Sequence, residues 1–236
     1  MKFTSLLAIG LIPVFGLMAM PFPGFQEVGT ANFSLCSSGD IGTTIGVFNE
    51  QNIKSEAEID YNVSRHSSFG LGAKIGFDEC TYGQYSPSFA VGTFNAQIRS
   101  RHELLSSNNV LYALTSKSYE RVIVHFGVFH GNRTMGLERK GCFIGYTQHL
   151  IIQQVDETHR RSKLDLCGEY ITGKSFLAGA KVELKYLISE RINIKFGQFW
   201  QFYKKGEPVD PTIVVKIPSK WSFDNAKWLL TLSINV

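Results

Sequence analysis

The sequence predicts an all-β protein: an antiparallel up-and-down transmembrane β-barrel of about 12 strands, with about 10 to 14 compatible with the precision of strand boundaries. Three observations carry that expectation. Apolar and polar residues alternate with period 2 along most of the chain, the pattern of strands with two unlike faces. The mean hydropathy is -0.03 although 44% of the residues are hydrophobic, the average expected when one face of each strand meets lipid and the other meets water. The one long uncharged apolar run lies at the N-terminus, so nothing after it offers the roughly 20 apolar residues of a helical span.

Composition removes other classes. The 236 residues include 18 Phe and 22 Gly, with only 19% charged, the opposite of a disordered chain. The 7 prolines occur without a Gly-x-y period, which excludes collagen. The 24 basic and 20 acidic residues give a formal charge of +4. They form no basic stripe of the kind that binds nucleic acid.

The elements follow in chain order. Lys2 forms a one-charge leader, Ser5 to Gly16 an apolar core, and Leu17-Met18-Ala19 a small-residue cleavage site. Residues 1–19 therefore read as a secretory signal peptide, leaving 20–236 as a single barrel domain. A retained anchor helix is the alternative, and Pro13, Pro21 and Pro23 weigh against it. Strands are expected at 27–36, 41–49, 56–64, 68–78, 88–98, 108–118, 120–130, 141–152, 161–173, 176–188, 191–202, 211–217 and 228–236. A closed bacterial barrel favours an even number. The 211–217 segment is the weakest, being bounded by Pro211 and Pro218.

Directly opposed residues in a hairpin share a face, so a choice of turn centre fixes the register. Centred on His66, Tyr61 meets Leu71 and Glu58 meets Lys74. Centred on Tyr119, Leu114 meets Val124 and Tyr112 meets Phe126. Centred on Lys174, Tyr170 meets Ala178. Centred on Ser189, Leu184 meets Ile194 and Glu183 meets Lys195.

A soluble sandwich or lipocalin-like barrel would turn the apolar face inward, whereas a membrane barrel turns it outward. Strand lengths, aromatics toward strand ends and an apolar face too bulky for a small closed interior favour the membrane. The polar face then lines the lumen, with Glu58, Lys74, Arg121, His125, Asp165, Glu169, Lys181, Glu183, Lys185, Arg191 and Lys195. Tyr170, Phe176, Trp200, Phe202 and Trp228 are expected at an interfacial girdle. The chain ends in Val236, where many outer-membrane barrels end in an aromatic residue.

No catalytic constellation stands out. The sequence has no Gly-x-Ser-x-Gly elbow, His-Glu-x-x-His or phosphate loop, and the six histidines are scattered. Cys36, Cys80, Cys142 and Cys167 lack Cys-x-x-Cys spacing. They read either as one or two disulfides or as small apolar strand residues. No enzyme activity, metal or cofactor is expected.

Within Pro87 to Asn132 the chain runs P-S-F-A-V-G-T-F-N, then N-V-L-Y-A-L-T-S-K, then R-V-I-V-H-F-G-V-F-H-G-N. This order resembles bacterial outer-membrane barrels of the exopolysaccharide-associated YjbH-like family, carried by Pro87, Ala90, Gly92, Tyr112, Ser116, Lys117, His125, Gly127, Gly131 and Asn132. Residues 164–182 look like that family's strand–turn–strand. The resemblance implies an outer-membrane location and an envelope or polysaccharide role, and supplies no catalytic residues. The expected partners are outer-membrane lipids, the barrel-assembly machinery and a small solute or polysaccharide. The expected activity is a passive porin-like channel or export accessory. The alternatives are a plugged structural or adhesive barrel and a soluble periplasmic ligand-binding barrel.

Overall fold

The computed structural model describes residues 25–36, 40–50, 52–62, 68–96, 110–131, 139–154, 160–173, 178–201 and 226–236. The expected signal peptide and the 211–217 segment lie outside these residues. The described chain forms twelve strands: β1 Ala31–Cys36, β2 Asp40–Glu50, β3 Ile53–Asn62, β4 Ser68–Phe77, β5 Ser88–Ala96, β6 Val110–Tyr119, β7 Val122–Gly131, β8 Lys140–Gln154, β9 Arg160–Ile171, β10 Gly179–Leu187, β11 Ile192–Gln201 and β12 Ala226–Asn235. Each pairs with its sequence neighbours and β12 returns to β1, so the sheet is a closed antiparallel barrel. The ring shuts through reciprocal bonds from Ala31 N to Val236 O (3.0 Å) and from Val236 N to Ala31 O (2.8 Å). Closure removes the free edges that an open sheet would expose.

The strands are rich in Val, Ile, Phe, Tyr and Thr, as in V-I-V-H-F-G-V-F-H-G of β7, residues that fit a pleated surface with one buried face. The connections at one end, 51–52, 78–87, 120–121, 155–159 and 188–191, are mostly short. The longest connections, 97–109 and 202–225, both belong to the opposite end. The start of β1 and the end of β12 lie at the short-turn end, where Asn235 N donates to Arg191 O at 2.8 Å.

Three expected hairpins hold their faces but slip by two residues. Tyr61 opposes Phe69 and Glu56 opposes Lys74, which leaves Glu58 across from Gly72. Tyr170 opposes Ala180. Leu184 opposes Phe196, and Glu183 faces Gly197 rather than Lys195. An even slip keeps every side chain on its own side of the sheet. The β6–β7 hairpin corrects the expectation more deeply. Leu114 opposes Gly127 and Tyr112 opposes Phe129, a slip of three, so Leu114 and Tyr112 point inward while Val124 and Phe126 point out. The cause is a tight turn. Tyr119 pairs directly with Val122, and Glu120 takes a positive φ of 42° to make the reversal.

Inside the barrel, large inward side chains lie over inward glycines of the next strand. The Phe143 ring covers Gly127, Phe129 covers Gly141, and His125 covers Gly145. In each pair the two residues are direct register partners. Without a Cβ, the glycine leaves room for its partner's ring to lie flat against the wall, and the interior fills by large-against-small pairing.

Candidate functional site: a filled lumen inside an apolar belt

Every strand presents large apolar side chains outward. Phe33, Ile59, Ile75, Val91, Phe126, Ile144 and Leu230 are all exposed, Leu111 at 62% and Phe196 at 48%. A contiguous apolar band around a whole barrel far exceeds the few hundred Å² that a soluble monomer usually exposes. Tyr170, Trp200 and Trp228 stand on this outward face toward the end with the longest connections, and Phe196 stacks on Trp228 with ring centroids 5.2 Å apart. Phe176 and Phe202 lie outside the described residues.

A second aromatic group, absent from the sequence reading, stands at the short-turn end. Phe77 meets Tyr82 edge-on at 4.9 Å and Phe89 at 5.9 Å. Tyr119 and Tyr186 are exposed near the same end, and Lys163 sits 5.1 Å above the Tyr186 ring. The legible signal is the apolar-face parity of Phe77 at the end of its strand. Two aromatic rims around an apolar band match the interfacial girdles of a membrane barrel.

The lumen divides into unlike parts. On β7 to β11 it is charged and paired. Lys181 Nζ lies 3.1 Å from Glu169 Oε2 and 3.1 Å from Glu183 Oε2, and His125 Nε2 lies 4.0 Å from Glu169 Oε1. Nearer the short-turn end, Asp165 meets His149 Nδ1 at 2.7 Å and Lys185 Nζ at 3.6 Å, and accepts a hydrogen bond from the Ser162 hydroxyl. Lys195 stands beside Lys185 in register. Charges withdrawn from bulk water are tolerable only when paired in this way. Arg121 and Arg191, expected on the lumen wall, instead lie exposed in the β6–β7 and β10–β11 turns. Each falls in a connection only a few residues long, where the chain reverses and the side chain escapes to solvent.

An apolar plug adjoins this side, on β5 to β9. Ala90, Val110, Tyr112, Leu114, Phe129, Phe143 and Ile171 form one buried cluster. Alternation conceals this cluster, because the turn after β6 inverts that strand's parity and because inward aromatics on β7 and β8 occupy positions that alternation assigns to polar residues.

On β2 to β5 the wall is lean. Gly42, Gly46, Gly70, Gly72 and Gly92 all occupy inward positions. Glu56, Glu58 and Asp60 project inward from β3, and Lys74 pairs with Glu56 at 2.7 Å. Residues 25–30 run inside this part of the barrel. Gly29 N donates to Gly46 O at 3.3 Å and Gly46 N to Thr30 O at 3.2 Å. Gln26 N donates to Glu56 Oε2 at 2.9 Å. Phe25 packs against the apolar cluster, with Lys74 Nζ 4.6 Å from its ring centroid.

The β4–β5 turn is tied down from both flanks. Lys54 pairs with Asp78, and Lys117 with Glu79 at 2.8 Å. Ser118 N donates to both Glu79 oxygens, at 3.2 and 3.0 Å. Burial pushes the Glu79 carboxyl up. The hydrogen bonds from Lys117 and Ser118 outweigh it and hold the group below its ordinary 4.5.

Among the described residues, no group of three or more His, Cys, Asp or Glu side chains could hold a metal ion. Cys80, Cys142 and Cys167 are free thiols. No protein-family model matches the chain, and no curated protein matches its sequence. Fold and surface define its class: a closed twelve-stranded antiparallel β-barrel, compatible in form with an outer-membrane protein.

Proposed function

We propose that the chain is an outer-membrane β-barrel of a Gram-negative-type envelope that rests closed, a structural barrel that presents its longest connections at the cell surface. The observation that carries the closed state is the fill of the lumen. Inward-facing Phe143 is 1% exposed, Leu114 2% and Asp165 4%. Side chains lining an open aqueous pore would be wet. The apolar belt with two aromatic rims supports the membrane setting. The shortness of the connections at the end where β1 starts and β12 finishes supports an orientation with short turns toward the periplasm. Membrane lipids and the barrel-assembly machinery are the partners this reading requires. The resemblance within 87–132 supports an envelope polysaccharide as the surface partner. A porin-like channel is the second reading, favoured by the glycine-lined half of the lumen.

The test is envelope fractionation with gel mobility before and after boiling. The protein is expected in the outer-membrane fraction, with a folded form that shifts on heating. Planar bilayers carrying the folded wild type should be electrically silent. Recovery of the mature chain from the periplasm without detergent would overturn the membrane reading, and steady conductance would overturn the closed one.

A further inference from the structure

We propose that the outer wall holds one anionic lipid specifically: an acyl chain lies in an apolar hollow across β3 to β6, and His130, Arg139 and Lys140 at the rim hold the head-group phosphate. The occupant is the phosphorylated glycolipid, lipid A, of the leaflet that meets the long connections. The inference rests on the outer-membrane reading and its orientation, and adds which lipid the barrel selects and where.

The hollow comes from small side chains on the apolar face. Ala57 opposes Ala73, Ala73 opposes Thr93, and Thr93 opposes Leu111. Opposed residues share a face, so the three small residues form a continuous floor on the outward side. Ile75 and Val91 stand beside it as a wall, and Leu111 marks its end nearest the long connections, all three exposed. The hollow measures about 570 Å³. On the far wall the comparable row is bulky: Leu166, Leu184, Phe196 and Leu230. Three strand spacings of about 4.8 Å separate Ala57 from Leu111, roughly 14 Å in all. One leaflet's half of a roughly 30 Å hydrocarbon core has a similar depth, so the floor matches one extended acyl chain.

The row also climbs toward the long connections. Ala57 and Ala73 are each the sixth residue of their strand from that end, Leu111 is the second of β6 and Lys140 the first of β8. The row continues from Leu111 to His130 and from His130 to Lys140. An imidazole and an ammonium therefore stand on the lipid face where the belt ends, about 5 and 10 Å past Leu111. Arg139 is exposed beside Lys140. Among the described residues, none of these three has a carboxylate within ion-pair distance. The lumen pairs its cations with acids, whereas this rim leaves three basic groups together at head-group depth. An apolar trough that ends beneath cations is complementary to a hydrocarbon tail with an anionic head. It reaches its cations at the cell-surface end of the proposed orientation, where the leaflet is built of lipid A.

The test uses the barrel purified from outer membranes, with its fold verified by heat-modifiability, in neutral micelles titrated with lipid A. Native mass spectrometry counts the lipid retained. One lipid A per barrel is expected, with its dephosphorylated form and phosphatidylglycerol each held about tenfold more weakly. Lys140→Gln and Arg139→Gln should each weaken retention about fivefold. Ala73→Phe, at an exposed position, occupies the trough and should weaken it about tenfold. Ala57→Phe replaces it should that variant not fold. Equal retention of the dephosphorylated form overturns the head-group assignment, and phosphatidylglycerol held as tightly as lipid A overturns the choice of lipid. Retention that the folded phenylalanine variants leave unchanged overturns the trough. A heat-modifiable outer-membrane barrel that retains no lipid A overturns this site alone, whereas a chain absent from the outer membrane overturns the membrane reading and the site with it.

Discussion

Lys181 puts one ammonium between the carboxylates of Glu169 and Glu183, all three nearly excluded from solvent. Removing it strands two like charges in a medium that cannot screen them. Lys181→Met should therefore cost about 3–5 kcal/mol, read as a shift in urea unfolding of the folded barrel in micelles. Neutralising the acids as well, with Glu169→Gln and Glu183→Gln, should restore most of the loss. An equal loss in the triple variant would show that packing, not charge, is at stake. Glu79 acts outside the wall. Its folded carboxyl titrates below 4.5, so its contribution is complete above the ordinary carboxylate range and disappears as pH falls through the lowered folded value. Exchange protection of the Ser118 amide, corrected for intrinsic rates, should stay constant near neutral pH and drop in acid. Glu79→Gln should abolish that pH dependence, and a variant with an unchanged acid profile would refute the assignment. The sequence discloses such residues unevenly. Alternation marks Lys181 and Glu183 as inward. It places Arg121 and Arg191 there too, because period 2 runs on through a reversal that only turn geometry can locate.

Strand identity was far more legible than strand register. All twelve strands fall on segments where strands are expected, and in β3, β4, β10, β11 and β12 alternation announces them, because burial of one face imposes the period. Register depends on where the chain turns, and alternation is indifferent to slips of two. Alternation alone therefore sets Glu58 opposite Lys74, whereas Glu56 makes the ion pair. In β6–β7 the turn at Glu120 also reversed parity, which concealed the buried Tyr112 and Leu114. The glycines carry a signal that alternation ignores: Gly92, Gly127, Gly141, Gly145 and Gly179 each mark the resting place of a large neighbour. Gly127→Val should push the Phe143 ring off the wall and destabilise the barrel by about 1–3 kcal/mol. Combined with Phe143→Ala the cost should be less than additive, as expected of residues in contact. Simple additivity in the double-mutant cycle would deny the pairing.

Over the whole molecule the decisive property is which solvent each face meets. Leu184 stands outward on β10 between Leu166 and Phe196. Were the belt in water, Leu184→Arg would change stability by no more than about 0.5 kcal/mol. In a bilayer the same change should cost up to about 2–4 kcal/mol near the midplane. Unfolding from lipid vesicles measures the difference directly, and a neutral result would take the belt out of the membrane. The seam between β1 and β12 has a consequence in time rather than in space. It joins Asn32 to Asn235 across 203 positions of chain, and β1 contributes only 6 residues to it whereas β8 has 15. Pairings so distant in sequence form slowly, since their loop entropy is lost before any contact rewards it. Until they form, the sheet is an open ribbon with two unsatisfied edges, each a template for a foreign strand. The hazard in this protein's life therefore falls in the interval between synthesis of β12 and its meeting with β1, and any chaperone that serves it must hold those two edges apart from other chains for that long.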